Sequence, residues 1–120
     1  MHAAVSSNLV TRIYTTSDRP KKAVVGLHGW TGNENVFEPV AKMMKVEHAK
    51  WYFPRAPYRS DFGKGYTWFS GSDEKGWKFK KTWIGLHQLM SDIQKEGFKV
   101  KIICHKLNHA PFYISNSNDS

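Results

Sequence analysis

The residues best placed to do chemistry are Leu27-His28-Gly29-Trp30-Thr31-Gly32. They follow Ala23-Val24-Val25-Gly26, a run of small and apolar residues. Together they read as a buried strand running into a His-Gly turn, with a second glycine three residues after the first. Acyl transfer needs hydrogen-bond donors aimed at the oxygen that becomes negative in the tetrahedral intermediate. Backbone N–H groups suit that task because they are fixed and need no reorganisation. On this reading the backbone N–H of Trp30 is the donor, and His28, Gly29 and Gly32 shape the loop that presents it. The second donor of such an oxyanion hole comes from the residue after a nucleophile. The same residues also fit a turn that merely ends a strand.

Other reactive side chains make weaker sets. Cys104 stands next to His105, but neighbours on a strand point to opposite faces, so a thiolate–imidazole pair is not expected there. His105 and His109 are four apart and could share a helix face, yet no third metal ligand accompanies them. No metal is expected. Lys75, Lys78, Lys80 and Lys81 interleave with Trp77 and Phe79. That mixture suits an anionic lipid surface or single-stranded nucleic acid, or simply a solvated loop edge. Trp51 and Trp83 are expected in the core, whereas Trp68 is a candidate wall for a substrate groove.

The elements that must position these residues follow from periodicity. Leu9 to Tyr14 reads as a strand, and Ser17 to Lys22 as a polar turn. Ala23 to Leu27 reads as an inner parallel strand, buried on both faces. Asn33 or Asn35 is a candidate cap for a helix whose apolar positions are Val36, Phe37, Val40, Met43 and Met44, with Pro39 in its first turn. Ala49 to Phe53 is a strand closed by Pro54. From Arg55 to Lys81 the chain reads as a long aromatic loop holding Gly63, Gly65, Gly71 and Gly76, of a length usually reserved for lids or binding loops. Thr82 is expected to cap a helix carrying Ile84, Leu86, Leu89, Met90 and Ile93 and ending near Gly97. Phe98 to Cys104 is a further strand. This alternation predicts an α/β fold with right-handed βαβ units and a mainly parallel sheet with flanking helices.

Composition sets the outer limits. The chain has 120 residues, 40% of them hydrophobic and 14% aromatic, enough for one packed domain or part of one. Eighteen Lys and Arg against ten Asp and Glu give a formal charge of +8. That charge permits anionic partners but is also what solvated lysines produce. One cysteine excludes an intrachain disulfide and suits a reducing compartment. No signal-peptide pattern opens the chain and no window is long enough to span a bilayer, so the expected location is cytoplasmic.

Two more segments, Phe53-Pro54-Arg55-Ala56-Pro57-Tyr58-Arg59 and Gly65-Tyr66-Thr67-Trp68-Phe69, follow Leu27-His28-Gly29-Trp30-Thr31-Gly32-Asn33-Glu34 at suitable distances. Over about residues 22 to 103, the chain resembles the phospholipase/carboxylesterase family of α/β hydrolases, which includes acyl-protein thioesterases. The resemblance implies a serine esterase with a Ser-His-Asp triad, no cofactor, and small-molecule or lipid esters or thioesters as substrates. It implies an oxyanion donor at Trp30 and a substrate wall at Pro57, Trp68 and Phe69. Peripheral membrane contact is compatible with it, and nucleic acid is not favoured.

The pattern departs from the family at two places. Ser70 follows Phe69 where the family usually has Asp. After the strand ending at Ile103 the family places Gly-Phe-Ser-Gln-Gly, a nucleophile elbow. This chain instead reads Cys104-His105-Lys106-Leu107-Asn108-His109-Ala110-Pro111. No triad member is found. The sequence therefore reads as the N-terminal part of a hydrolase domain over 1–104, with an atypical, disordered tail over 105–120. A frameshift, mis-splicing or truncation would produce that pattern, and the chain made alone is expected to be inactive and poorly soluble. The alternative is a non-catalytic hydrolase-like scaffold that binds acidic partners or anionic lipid through its basic aromatic loop.

Overall fold

The computed structural model describes residues 9–60, 63–104 and 112–115, with Cys104 and the last segment described by their backbone alone. In chain order the elements are β1 (Thr11–Thr15), β2 (Lys22–Leu27), α1 (Glu38–Met44) and β3 (Ala49–Pro54). There follow β4 (Tyr58–Arg59), β5 (Tyr66–Thr67), β6 (Ser70–Ser72), β7 (Gly76–Lys78), α2 (Lys80–Lys95), β8 (Val100–Cys104) and β9 (Phe112–Ser115).

A five-stranded sheet in the order β1-β3-β2-β8-β9 organises the fold. Its middle is parallel: β2 pairs with β3 on one side and with β8 on the other. Its margins are antiparallel, β1 against β3 and β9 against β8. The predicted inner position of Ala23 to Leu27 is therefore observed. Residues Ala23 to Gly26 are buried one after another because both faces of β2 are covered.

Alternation along β2 separates two cores. Val24 faces Phe37, Ala41, Trp51, Phe53 and Ile103, the side on which α1 packs. Ala23 and Val25 face Tyr52, Ile93 and Val100, the side on which α2 packs. The helices thus lie on opposite faces of the sheet, giving three layers. Gly26 belongs to the first face. A Cβ there would stand 2.9 Å from the Phe37 ring, so the missing side chain is what lets Phe37 seat on the strand.

The helices depart from expectation in detail. Phe37 is the N-cap of α1 and makes no side-chain cap hydrogen bond. Asn33 instead closes a local turn, its Oδ1 accepting from the Asn35 N–H at 2.8 Å. The buried stripe is Phe37, Val40, Ala41 and Met44, while Val36 is half exposed and Met43 is 80% exposed. Pro39 does lie at the helix start. Likewise α2 begins at Lys80, two residues before the expected cap, and Thr82 turns inward from its first turn. Gly97, with φ of 92°, follows the helix end as expected.

The aromatic loop is not structureless. Tyr58–Arg59 pairs with Tyr66–Thr67, and Ser70–Ser72 pairs with Gly76–Lys78, as two antiparallel ribbons. Trp51 is fully buried as predicted, although its Nε1 has no hydrogen-bond partner among the described residues. Trp83 was expected in the core and is 61% exposed. The buried face of α2 is instead Thr82, Gly85 and Ile93, with Leu89 beside them. Phe112–Ser115, inside the segment expected to be a tail, runs as a strand against Lys101 to Cys104. His105, Lys106, Leu107, His109 and Pro111 lie outside the described residues.

Candidate functional site: a histidine-locked turn

Because β2, β3 and β8 are parallel, the residues following them emerge at the same edge of the sheet. Ligands of open α/β sheets bind beyond the carboxyl ends of the strands. His28 follows β2, and Arg55 and Ala56 follow β3.

His28 is 3% exposed. Its Nε2 lies 3.0 Å from the backbone N of Ala56, and its Nδ1 lies 2.7 Å from the carbonyl oxygen of Gly29. An N–H can only donate, so Nε2 accepts and carries no proton. The ring proton then sits on Nδ1 and is donated to Gly29. One tautomer of a neutral imidazole satisfies both contacts. Burial pushes the His28 pKa down, partly opposed by the Gly29 carbonyl and by the negative charge of Glu34. With both ring nitrogens committed, His28 is a clamp rather than a proton shuttle.

The clamp holds a tight turn. The Gly32 N–H donates to the Gly29 carbonyl at 3.0 Å. Thr31, the third residue of that turn, has φ of 66°, in the left-handed region where such turns usually take glycine. A β-branched residue there stores strain of about 1–3 kcal/mol. Trp30 stands at the crest of this turn with its side chain 66% exposed. Gly32 is packed so closely that a Cβ would lie 3.0 Å from both the Gly29 oxygen and His28 Nδ1.

Neighbouring elements brace the turn. The Trp68 ring stacks on His28 with centroids 5.0 Å apart, and its Nε1–H donates to the His28 carbonyl at 2.8 Å. Thr82 Oγ1 in turn donates to the Trp68 carbonyl at 2.6 Å, which ties α2 to the turn. The Tyr66 N–H donates to the Gly32 carbonyl at 2.8 Å, joining β5 to the loop. Gly65, with φ of 69°, brings its backbone so near the Thr31 carbonyl that no Cβ fits. Below the turn, Arg55 grips Glu34 with two hydrogen bonds, through Nε at 2.9 Å and a terminal nitrogen at 2.5 Å. The Arg55 guanidinium holds the Glu34 carboxyl below its ordinary range and lies 4.6 Å from the Tyr66 ring centroid.

The structure therefore brings together His28, Gly29, Trp30, Gly32, Trp68 and the Ala56-Pro57 backbone at one edge of the sheet. Pro57 is half-buried beside the clamp. Phe69 is set apart: it is 53% exposed and meets Phe79 edge to face at 6.0 Å. The bracing roles of Glu34, Arg55, Ala56 and Gly65 were not assigned from sequence. All four lie in the segments that carry the family resemblance, which was the one available signal. Among the described residues no group of three or more His, Cys, Asp or Glu could hold a metal ion. No described helix is long and apolar enough to cross a membrane.

No family model matches the sequence, and no curated protein sequence matches it. The fold is similar to the crystal structure of Zea mays acyl-protein thioesterase 2, with a TM-score of 0.58 and 20% sequence identity. The match covers 78% of this chain and 44% of the thioesterase, so the chain spans less than half of that protein's length. The order β1-β3-β2-β8, its parallel centre and its two flanking helices thus form part of an α/β-hydrolase-like fold.

Proposed function

We propose that this chain carries the oxyanion side of a hydrolase site for carboxylic esters or thioesters. The observation that carries the reading is the turn locked by His28 at the carboxyl end of the central parallel strand. Such a loop supplies one donor of the oxyanion hole in α/β hydrolases. The thioesterase-like fold supports the same class. In the complete reaction a serine attacks the carbonyl carbon while a histidine takes its proton, and the Trp30 N–H stabilises the oxygen that becomes negative. His28 does not serve as that base, since its Nε2 lone pair already accepts from Ala56. Trp68 and Pro57 form the wall beside the reacting centre. Carboxylesterase, lysophospholipase and acyl-protein thioesterase chemistry all fit this corner.

Two readouts test the proposal. The purified chain is expected to hydrolyse p-nitrophenyl butyrate at the rate of buffer alone; turnover abolished by a substitution in this chain would contradict that. Butyrate added to the chain is expected to shift the Trp30 backbone amide resonance; a Trp30 amide that stays fixed would remove the proposed oxyanion donor.

A further inference from the structure

The ribbon of β6 and β7 turns its large apolar side chains outward. Ser70 pairs with Lys78 and Gly71 with Trp77. One further step of that register sets Phe69 opposite Phe79, and their rings meet. Side chains alternate along a strand, so Phe69, Trp77 and Phe79 share one face of the ribbon. They are 53%, 54% and 51% exposed. The apolar stripe continues onto α2, where Trp83 lies one turn beyond Phe79 and Ile84 is 41% exposed. Exposed aromatics grouped in this way mark an interaction surface, unlike apolar residues scattered singly.

Charge decides the kind of partner. Lys75, Lys78, Lys80 and Lys81 are all exposed. Lys75 stands in the connecting turn of the ribbon and Lys80 follows Phe79 at the start of α2, whereas Lys78 alternates onto the other face and Lys81 Nζ lies 5.7 Å from the Tyr58 ring centroid. Asp73 and Glu74 are the nearby acids, and Asp73 accepts from Trp77 Nε1 at 3.0 Å. A second copy docking through the same face would bring like-charged lysines together. Tryptophan favours the boundary between water and hydrocarbon, and lysines flanking it meet lipid charge.

We propose that the β6–β7 ribbon and the first turn of α2 dock on an anionic lipid surface. The rings of Phe69, Trp77, Phe79 and Trp83 enter the headgroup boundary, Lys75 and Lys80 contact acidic headgroups, and Lys78 and Lys81 add attraction from farther off. The inference is independent of the ester chemistry, because none of these side chains forms the His28 clamp.

Sedimentation with lipid vesicles tests it. One set is pure phosphatidylcholine, and the other is phosphatidylcholine mixed equally with phosphatidylserine. The chain is expected to bind the mixed vesicles, to release as salt rises, and to leave the neutral ones largely unbound. Lys75→Gln with Lys80→Gln should weaken mixed-vesicle binding by about fivefold per lysine. Trp77→Ser with Phe79→Ser should weaken it by about tenfold or more. All four sites are exposed, so circular dichroism should match the parent chain. Failure to bind mixed vesicles, or unchanged binding by both variants, would overturn the proposal. So would tighter binding to single-stranded DNA than to the vesicles, or lipid-free self-association that Trp77→Ser abolishes.

Discussion

At the scale of single residues, His28 is the most informative side chain. Its ring is buried, neutral and bonded at both nitrogens. Protonation would place a second donor against the Ala56 N–H. Because the folded pKa lies below the ordinary 6.5, the stabilising contribution is complete above that pH and is lost as the pH falls. The melting temperature should therefore decline below about pH 6.5, before the carboxylates protonate. His28→Gln keeps an acceptor for Ala56 but cannot titrate, and should flatten that part of the profile. A second decline is expected below pH 4.5, where protonation of Glu34, Glu38 and Glu96 removes their ion pairs; their cationic partners hold all three carboxyls below the ordinary value. His28→Ala leaves the Ala56 N–H without its acceptor and should cost roughly 1–3 kcal/mol by chemical denaturation. Thr31 argues in the other direction. Glycine has no penalty in the left-handed region, so Thr31→Gly should raise stability by about 1 kcal/mol. Sequence placed His28 at the turn, but the tautomer was not legible. It depends on Ala56, twenty-eight positions away, and no spacing rule links the two.

At the scale of elements, the strands were legible and the helix faces less so. Ala23 to Leu27 announces a doubly covered strand because every residue is small or apolar. The helices were read by side-chain size, and packing follows closeness of approach instead. Ala41 seats on the sheet while Met43 points to solvent; Thr82 and Gly85 face inward while Trp83 and Ile84 do not. At Gly85 a Cβ would meet the Leu9 side chain at 2.6 Å, so the glycine makes room for the segment that leads into β1. Two glycines give sharp tests. Gly26→Ala would press on the Phe37 ring, and a loss of about 1–3 kcal/mol is expected from thermal unfolding. Gly65→Ala would combine a left-handed backbone with a clash against the Thr31 carbonyl. It should cost at least as much and also shift the amide resonances of Thr31 and Gly32, whereas a purely local effect would leave them in place.

At the scale of the whole molecule, the layered α/β architecture was readable from alternating elements. The antiparallel β9 was not, since Phe112–Ser115 sits in a stretch whose composition suggests a tail. Its backbone covers the outer edge of β8, which would otherwise be an unpaired strand edge. The similarity to part of a thioesterase bears on the fold alone and assigns no triad. The central proposal concerns the His28 turn: that the loop from His28 to Gly32 presents the Trp30 N–H to a carbonyl oxygen. Titrating the isotope-labelled chain with butyrate at constant ionic strength, and following backbone amides by NMR, tests this most directly. The Trp30 amide should move first and farthest, with a weaker response in His28→Gln. A titration in which Trp30 stays fixed, or in which the largest shifts fall outside residues 28 to 32, would contradict the assignment.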